Sequence, residues 1–458
     1  MKAINPLNVA RSLATFMLAL NHSTVSAGVT TNAQLNLAKT SGSTLSLNIS
    51  NAANQVWVMQ SSSNLTSWTT VESLKVFNGL YHRSYTNSAG NSVFYRAYFD
   101  GAGQNIASLT TNALQLPATN YNYAAPVLPT NFLVNPILAE DNTPANNTNT
   151  DAGAMLGRAL FYDRRLSTNQ TIACASCHQQ AHGFSDPRQF SVGFDGSVGT
   201  RNSMGLSNAR WYQRKHFFWD ERANTLEDQT LMPIQNPIEM GMTLGALTNR
   251  LAAEPFYTNL FAQAFGSTDV TTNRISRALA QFVRSIVTTQ SKYDLGLTNN
   301  FANFTAQENT GRQIFFGQNG SRATCALCHL TDNFVQTGGI DNNGLEFPYV
   351  DTGIGGITGN AGDMGKFKVP SLRNIELTAP YMHDGRFTNL EQVVEFYNSG
   401  VVFNANLTPP LRAAGGNSAL RLNLTADQKT ALVAFLKTLT DTNLANDVKL
   451  SDPFNYGN

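Results

Sequence analysis

The residues best suited to chemistry in this chain are its four cysteines, which fall into two copies of one pattern. The copies are Cys174-Ala-Ser-Cys177-His178 and Cys325-Ala-Leu-Cys328-His329. Cys-x-x-Cys followed directly by His is typical of covalent attachment of a c-type haem. The two thiols add to two vinyl groups of one porphyrin, and the adjacent imidazole becomes an axial ligand of the iron. The sequence therefore predicts two covalently bound haem c groups.

The alternative is a pair of zinc or redox Cys-x-x-Cys motifs, each followed by histidine by chance. A structural zinc ion needs four ligands, and a redox dithiol needs no histidine at that position. The haem interpretation uses all four cysteines in one way, and it leaves none for a disulfide.

Length and composition exclude several classes of function. The 458 residues are enough for about three domains of ordinary size. Charged residues make up only 13% of the chain, and the net charge is +1. This balance argues against nucleic acid as a partner and against long-range electrostatic steering. Beyond the N-terminus, no stretch is apolar and long enough to predict a membrane span.

The N-terminus has the features of a signal peptide. Lys2 and Arg11 precede the apolar run Leu13–Leu20, and Val25-Ser-Ala27 offers a small-x-small cleavage site. The alternative is an amphipathic first helix. We expect residues 1–27 to be removed near Ala27 and the protein to be periplasmic or otherwise exported, which agrees with haem c attachment outside the cytoplasm.

The region 28–115 predicts β structure. β-branched and aromatic runs are broken by Asn, Ser and Gly, at Val56–Met59, Trp68–Val71 and Val93–Phe99. Short strands at this spacing favour a small antiparallel β-sandwich, which we interpret as an accessory spacer or docking module. A carbohydrate-binding or surface-binding role is the alternative. A linker rich in Pro, Asn and Thr follows, at residues 116–150.

Helical patterns dominate the rest of the chain. Between Asn273 and Ser291, apolar residues recur at helical spacing and predict a helix with one buried face. Thr425-Ala-Asp-Gln428 predicts a capping box, followed by the apolar stripe of a terminal helix. We place one haem domain at 151–295 and the other at 296–458. The two apolar patterns consist of Ile275, Leu279, Phe282, Val283 and Ile286, and of Leu432, Phe435, Leu436 and Leu439.

Four further strings carry a family resemblance. They are Arg201-Asn202, Phe218–Gln229, Pro233–Met240 and Val369–Gly385. In this order, with two haem motifs, they closely resemble the bacterial dihaem cytochrome c peroxidase family over roughly residues 130–455. The resemblance implies a mainly α fold, in which two cytochrome c-like haem domains face one another across a calcium ion, here preceded by the small β-sandwich module.

The resemblance also implies roles for the two haems. The N-terminal haem, with His178 as its proximal ligand, would react with hydrogen peroxide. The C-terminal haem, with His329, would receive electrons from a small cytochrome c or a cupredoxin. Trp219 matches the tryptophan that lies between the haems; without the flanking match it would be taken for an ordinary core aromatic.

Gln229 and Glu239 match the distal pair above the peroxide-reacting haem. Cleavage of the O–O bond needs a proton to leave one oxygen and reach the other, and a carboxylate with a suitable pKa can do both. An amide can hold peroxide without titrating. The alternative for Glu239 is a solvated loop carboxylate. Asn202, Thr378 and Pro380 match the calcium-binding positions, the last two through backbone oxygens.

The chain departs from the family pattern above the first haem. Many members carry a histidine that caps this haem in the oxidised enzyme, and the matching position here is Phe194. His182 is the nearest alternative, but its sequence context favours a surface loop. We therefore predict an open, five-coordinate haem that needs no reductive activation.

The second departure is above the other haem. Tyr397 stands where many members have the methionine ligand, and its segment resembles the MauG-type branch, in which tyrosine binds this iron. A phenolate favours ferric iron relative to a thioether. Met364 and Met382 remain alternative ligands.

Three functions follow from these features. The first is a peroxidase that reduces hydrogen peroxide to water with electrons from a small redox protein. The alternative is a MauG-type oxidase that uses peroxide equivalents to modify a protein or a small molecule, and Phe194 and Tyr397 lean toward it. A non-enzymatic electron carrier would have no use for Gln229 and Glu239. The sequence identifies neither the donor nor the oligomeric state, and a homodimer is left open.

Overall fold

A computed structural model describes residues 114–318, 320, 322–323, 325–335 and 339–454 and, nearer the N-terminus, seven strands together with Thr66 and Ser67. The chain divides into two compact units, and the strands belong to the first. One sheet has the strand order β1-β7-β4-β5 and the other the order β2-β3-β6. The strands are β1 (Leu18–Leu20), β2 (Gln34–Ser41), β3 (Thr44–Ser50), β4 (Gln55–Ser62), β5 (Thr69–Val76), β6 (Leu80–Thr86) and β7 (Phe94–Ala102).

The aromatic and β-branched runs of the sequence lie in β4, β5 and β7, so the prediction of β structure here is confirmed. Neighbouring strands pair antiparallel, except that β1 pairs parallel with β7, Leu18 opposite Tyr95. β1 lies inside the predicted signal peptide, whose cleavage site at Ala27 is outside the described residues. Cleavage there would remove β1 and leave the order β7-β4-β5.

The second unit runs from Leu114 to Asn455, apart from three residues at 169–171, and is mainly helical. Its one described two-stranded sheet pairs β8 (Ile340–Asp341) with β9 (Phe367–Lys368). The described α-helices are α1 (Ile137–Glu140), α2 (Asp151–Tyr162), α3 (Cys174–Cys177), α4 (Leu226–Gln235), α5 (Leu244–Ala252), α6 (Pro255–Phe265), α7 (Thr272–Arg284), α8 (Lys292–Leu297), α9 (Ala306–Phe315), α10 (Gly355–Thr358), α11 (Leu390–Glu395) and α12 (Ala426–Lys437).

Two helix pairs pack in the same way, each through a glycine at the helix crossing. α2 crosses α7 where a Cβ added to Gly157 would lie 1.9 Å from the carbonyl oxygen of Ala278. α9 crosses α12 in the same way, with Gly311 against the Ala431 carbonyl at the same 1.9 Å. Any side chain at either glycine would force the helices apart, because packed interiors leave no spare volume. The duplication seen in the haem motifs therefore extends to the helices that support them.

The predicted buried-face helix is confirmed as α7, but it ends earlier than the sequence pattern suggests. Thr271 caps its first turn, and the apolar residues of its stripe are at most 4% exposed. The helix stops at Arg284 because Asn208 forms hydrogen bonds with the backbone that follows. The backbone amide of Asn208 donates to the Ile286 carbonyl, and the side-chain oxygen of Asn208 accepts from the Thr288 amide.

The terminal helix α12 begins at the predicted capping box. The side chain of Thr425 accepts from the backbone amide of Gln428, and the Gln428 side chain accepts from the Thr425 amide. Phe435 of this helix is fully buried in an aromatic cluster with Tyr293, Phe315 and Phe334, which anchors α12 beside the second haem motif. Among the described helices, none is long and apolar enough to cross a membrane.

Candidate active site

One cavity of about 1140 Å³ reaches both haem motifs. Its wall contains Cys174 and His178 from the first motif and Cys325 and His329 from the second. Sites for a single small ligand usually enclose about 300–1,000 Å³. The volume and the two motifs in one wall therefore fit two large prosthetic groups held near each other.

The surroundings of the thiols in this cavity differ from those of redox or zinc-binding cysteines. All four are free, and burial raises the pKa of Cys174 to about 12 and that of Cys177 to about 11. A reactive dithiol needs a lowered pKa. Among the described residues, no group of three or more His, Cys, Asp or Glu side chains could hold a metal ion. These thiols fit covalent attachment of haem.

His178 is oriented by a backbone carbonyl. Its Nδ1 lies 2.8 Å from the carbonyl oxygen of Phe184, so Nδ1 carries the proton and Nε2 is the nitrogen left to bind iron. The Ser203 hydroxyl lies 3.3 Å from both ring nitrogens, and therefore off the axis of Nε2. Burial lowers the pKa of His178, which keeps the imidazole neutral as a ligand must be.

The histidine of the second motif is also oriented by a backbone carbonyl. His329 Nδ1 lies 3.2 Å from the carbonyl oxygen of Phe334, and burial lowers the pKa of His329 to about 4. Phe184 and Phe334 are both fully buried with φ near +60°, a conformation rare for phenylalanine. Sequence reasoning missed this pair. The available signal was the recurrence of phenylalanine six residues after one motif histidine and five after the other.

Gln229 and Glu239 both line the cavity, and Glu239 is near enough to Cys174 and Cys177 of the first motif for its charge to raise their pKa values. Gln229 is fixed by α4, which is tied to α7 by a bidentate ion pair between Glu227 and Arg284 at 2.7 and 2.9 Å. Glu239 lies in the turn that follows α4, where Asn236 Nδ2 donates to Glu239 Oε1 at 3.0 Å. The structure thus brings the predicted distal pair into one wall.

The electrostatics of Glu239 suit a proton carrier. Burial raises its pKa, and the positive charge of Arg222 lowers it. Arg222 also lines the cavity; its guanidinium donates to Asp220 at 2.9 Å and lies 3.6 Å from the centroid of the Phe218 ring. Sequence reasoning missed Arg222 as a site residue, although it stands in the string that carries the family resemblance.

Phe194 and His182 both lie outside the cavity wall formed by the described residues. The Phe194 amide donates to the Glu239 carbonyl at 2.9 Å, and a Cβ added to Gly241 would lie 2.4 Å from the Phe194 ring. The ring therefore packs on Gly241 and does not line the described cavity. His182 sits in a short 3-10 turn after the first motif.

Trp219 lies in the wall of the cavity that connects the two motifs. Its Nε1 donates to the carbonyl oxygen of Asn202 at 2.9 Å. Its ring meets His383 edge-on, with centroids 6.5 Å apart, and His383 stacks on Phe367 at 3.9 Å. The indole is therefore held by a hydrogen bond and by aromatic contact, which fixes its orientation.

The three predicted calcium ligands also line this cavity. Asn202 Nδ2 donates to the carbonyl oxygens of Arg188 and Gln189 at 3.1 and 3.2 Å. These two bonds direct Oδ1 of the same side-chain amide away from the two carbonyls. Thr378 packs against Gly205: a Cβ added to Gly205 would lie 3.1 Å from the methyl carbon of Thr378. The other predicted ligand is Pro380. Carbonyl and amide oxygens of this kind fit a hard cation.

Above the second motif, Tyr397 lines the cavity from a π-helical turn, Phe396–Gly400. Single π turns are frequent at functional sites. Met382 lines the cavity as well, and Met364 does not appear in the wall formed by the described residues. Asn343 Nδ2 lies 3.5 Å from Tyr397 Oη and 3.6 Å from Met382 Sδ. Two of the three candidate distal ligands, Tyr397 and Met382, therefore lie in the described cavity wall.

Comparison with known proteins identifies the family. The sequence pattern of the di-haem cytochrome c peroxidase family matches residues 151–301. The cytochrome c551 peroxidase of Nitrosomonas europaea is 35% identical over 339 residues, which cover 73% of this chain and 91% of that protein. The methylamine utilization protein MauG of Paracoccus denitrificans is 34% identical over 362 residues, covering 66% of this chain and 91% of its own.

Solved structures show the same fold. A MauG-like protein associated with microbial copper homeostasis superposes with a TM-score of 0.61 at 33% identity, over 73% of this chain and 99% of that one. The diheme peroxidase BthA from Burkholderia thailandensis E264 has a TM-score of 0.56 at 24% identity, over 65% and 88% of the two chains, and supports the fold alone. The chain belongs to the di-haem cytochrome c peroxidase family.

Proposed function

We propose that this protein reduces hydrogen peroxide to water at the first haem, with electrons that a small cytochrome c or cupredoxin delivers to the second. Family membership makes the chain an oxidoreductase with two haem c groups. The observation that carries the proposal is that Glu239 and Gln229 line the same cavity as the first motif, whereas the Phe194 ring packs on Gly241 outside the described cavity wall.

When bound at His178, the haem would supply an iron able to bind peroxide and take up its oxidising equivalents. Glu239 takes the proton from the near oxygen of peroxide and returns it to the departing oxygen. Asn236 holds the Glu239 carboxylate through Oε1, which leaves the other carboxylate oxygen for this shuttle. Gln229 positions peroxide by hydrogen bonds and does not titrate.

Trp219 carries electrons between the two haem sites in this proposal. The Asn202 carbonyl holds its indole, and the side-chain oxygen of the same residue is offered to calcium together with the carbonyls of Thr378 and Pro380. A calcium ion here would therefore fix Trp219 through one shared residue. Tyr397, from the π turn, is the proposed distal ligand of the second haem.

Steady-state turnover tests the function. The protein with both haems attached should consume peroxide continuously when a reduced small cytochrome is supplied, and no prior reduction should be needed. A MauG-type activity is the second candidate, favoured by the open first site and by Tyr397. It would instead appear as slow turnover with the small donor and a long-lived oxidised state, formed with stoichiometric peroxide and quenched by a protein substrate.

The pH dependence of turnover should report Glu239. The shuttle begins with its carboxylate form, so kcat/KM for peroxide should fall as the pH drops through the Glu239 pKa, which burial holds above the ordinary value of about 4.3. Replacing Arg222 with Gln removes the charge that lowers this pKa, so the acid limb should move to higher pH. An unmoved limb in the variant, measured against wild type, would contradict the role of Glu239.

We further propose that the N-terminal strands form a sandwich that acts as a spacer or docking module, and that the protein is exported after cleavage near Ala27. The two-sheet arrangement and the apolar N-terminal run support these assignments. The repeated helix pairs support separate haem domains at 151–295 and 296–458. Mass measurement of the mature protein would test the cleavage site.

A further inference from the structure

One buried tyrosine of the cavity wall is hydrogen-bonded to a carboxylate. The described part of this wall contains Tyr212, Tyr381 and Tyr397. The hydroxyl of Tyr381 donates to a backbone carbonyl at 2.9 Å, and that of Tyr397 lies 3.5 Å from a side-chain amide nitrogen. The hydroxyl of Tyr212 donates instead to Oε1 of Glu221. Of these neighbours, only the carboxylate is a base that can accept the phenolic proton.

The proton acceptor matters because a phenol that loses an electron becomes a strong acid. Tyrosine is therefore oxidised readily only where a base can take its proton at the same time. Tyr212 is 1% exposed, and burial together with the negative charge of Glu221 raises its pKa. The hydroxyl thus keeps its proton at neutral pH, and the electron and the proton must leave together. Glu221 is within hydrogen-bond reach of that proton, as a proton acceptor must be.

Glu221 is fixed in this position by an arginine on its other side. Arg214 Nε donates to both carboxylate oxygens of Glu221, at 2.9 and 2.8 Å. Charge-assisted bonds of this kind hold a side chain in one geometry. Glu221 is 8% exposed, whereas the Arg214 side chain is 33% exposed and reaches solvent. The chain of contacts from Tyr212 through Glu221 to Arg214 therefore runs from the cavity wall to the protein surface.

On its ring face, Tyr212 is connected to Trp219 through Lys368. The Lys368 amide donates to the Trp219 carbonyl at 2.8 Å, and the Lys368 ammonium nitrogen lies 3.8 Å from the centroid of the Tyr212 ring. All three residues line the cavity. An ammonium over the ring opposes the loss of an electron alone, because two positive charges would then face each other in a buried setting. Loss of an electron together with a proton adds no charge to the ring.

We infer that Tyr212 is a redox-active residue that stores one oxidising equivalent when peroxide arrives before the small electron donor. The reaction with peroxide leaves two oxidising equivalents at the haem sites. One electron then passes from Tyr212 to these sites, its O–H bond breaks, and the proton moves to Glu221, leaving a neutral tyrosyl radical. An electron from the donor later restores Tyr212, and Glu221 returns the proton. This inference rests on the peroxide reaction assigned under the proposed function.

Electron paramagnetic resonance of the holoprotein tests this inference. The protein is mixed with stoichiometric hydrogen peroxide without any donor and then frozen. Wild type should show an organic radical signal, and this signal should narrow when the protein carries ring-deuterated tyrosine. Tyr212→Phe should lose the signal. Glu221→Gln should lose it as well, because an amide oxygen still accepts the hydrogen bond of Tyr212 but does not take up its proton.

Tyr257→Phe is the matched control. Tyr257 in α6 is fully buried and donates to the carboxylate of Asp163 at 2.6 Å, but it lies outside the described cavity wall. Its radical signal and peroxide turnover should equal those of wild type. No radical in wild type, a signal unchanged by deuterated tyrosine, or one that persists in Tyr212→Phe would overturn the inference, and persistence in Glu221→Gln would overturn the proton transfer. Absence of peroxide turnover with a reduced donor would instead refute the proposed function.

Discussion

Replacing Glu239 with Gln should lower kcat/KM for hydrogen peroxide by about 10²–10⁴-fold, the usual contribution of a positioned acid–base group. Glutamine nearly preserves the size of the side chain and can still meet the Asn236 amide through its carbonyl oxygen. It cannot carry a proton between the two peroxide oxygens. The loss should therefore come from chemistry, with both haems attached and their spectra unchanged.

A surface carboxylate provides the matched control for this variant. Glu391 is exposed in α11, and Glu391→Gln removes the same charge without touching the described cavity wall. We expect its peroxide kinetics to equal those of wild type. Equal rates for wild type and Glu239→Gln, measured by stopped flow with peroxide, would remove Glu239 from the reaction and leave Gln229 as the remaining candidate of the distal pair.

Replacing Arg373 with Met should lower the free energy of unfolding by about 3–5 kcal/mol, the usual cost of breaking a buried ion pair. The Arg373 side chain is 1% exposed and donates two hydrogen bonds to the Asp294 carboxylate, at 2.7 and 2.8 Å. It also donates to the carbonyls of Thr288 and Asp332. Arg373 thereby ties the segment before α8 to the loop after the second haem motif.

An exposed ion pair offers the comparison. Lys437 and Glu376 lie 3.8 Å apart with side chains 48% and 40% exposed, so Lys437→Met should change stability by no more than about 1 kcal/mol. Denaturant unfolding of the holoprotein, followed by far-UV circular dichroism, measures both variants. A loss for Arg373→Met as small as that for Lys437→Met would show that the segment before α8 is held by other contacts.

Local patterns predicted the parts of this protein that depend on neighbours in the sequence. The two haem motifs, the stripe of α7 and the capping box of α12 all follow from spacing over a few residues. The strings of the family resemblance pointed to Glu239, Gln229 and Trp219, and the structure places all three side chains in one cavity wall.

Contacts between distant residues were beyond sequence reasoning. The carbonyls of Phe184 and Phe334 reach the motif histidines only because both backbones adopt positive φ, which residue type does not signal. Asn343 meets Tyr397 across 54 positions of sequence, and Asn208 ends α7 from 80 positions away. Such partners are set by how the loops cross, so their chemistry becomes visible only in the folded chain.

The central claim is that the first haem is open and the second carries Tyr397, and it is tested most directly by the electron paramagnetic resonance spectrum of the fully oxidised, calcium-loaded protein. The account predicts one high-spin and one low-spin ferric haem, because the Phe194 ring packs on Gly241 while Tyr397 faces the cavity. Two low-spin ferric haems would contradict it, since a protein ligand would then occupy the site assigned to peroxide.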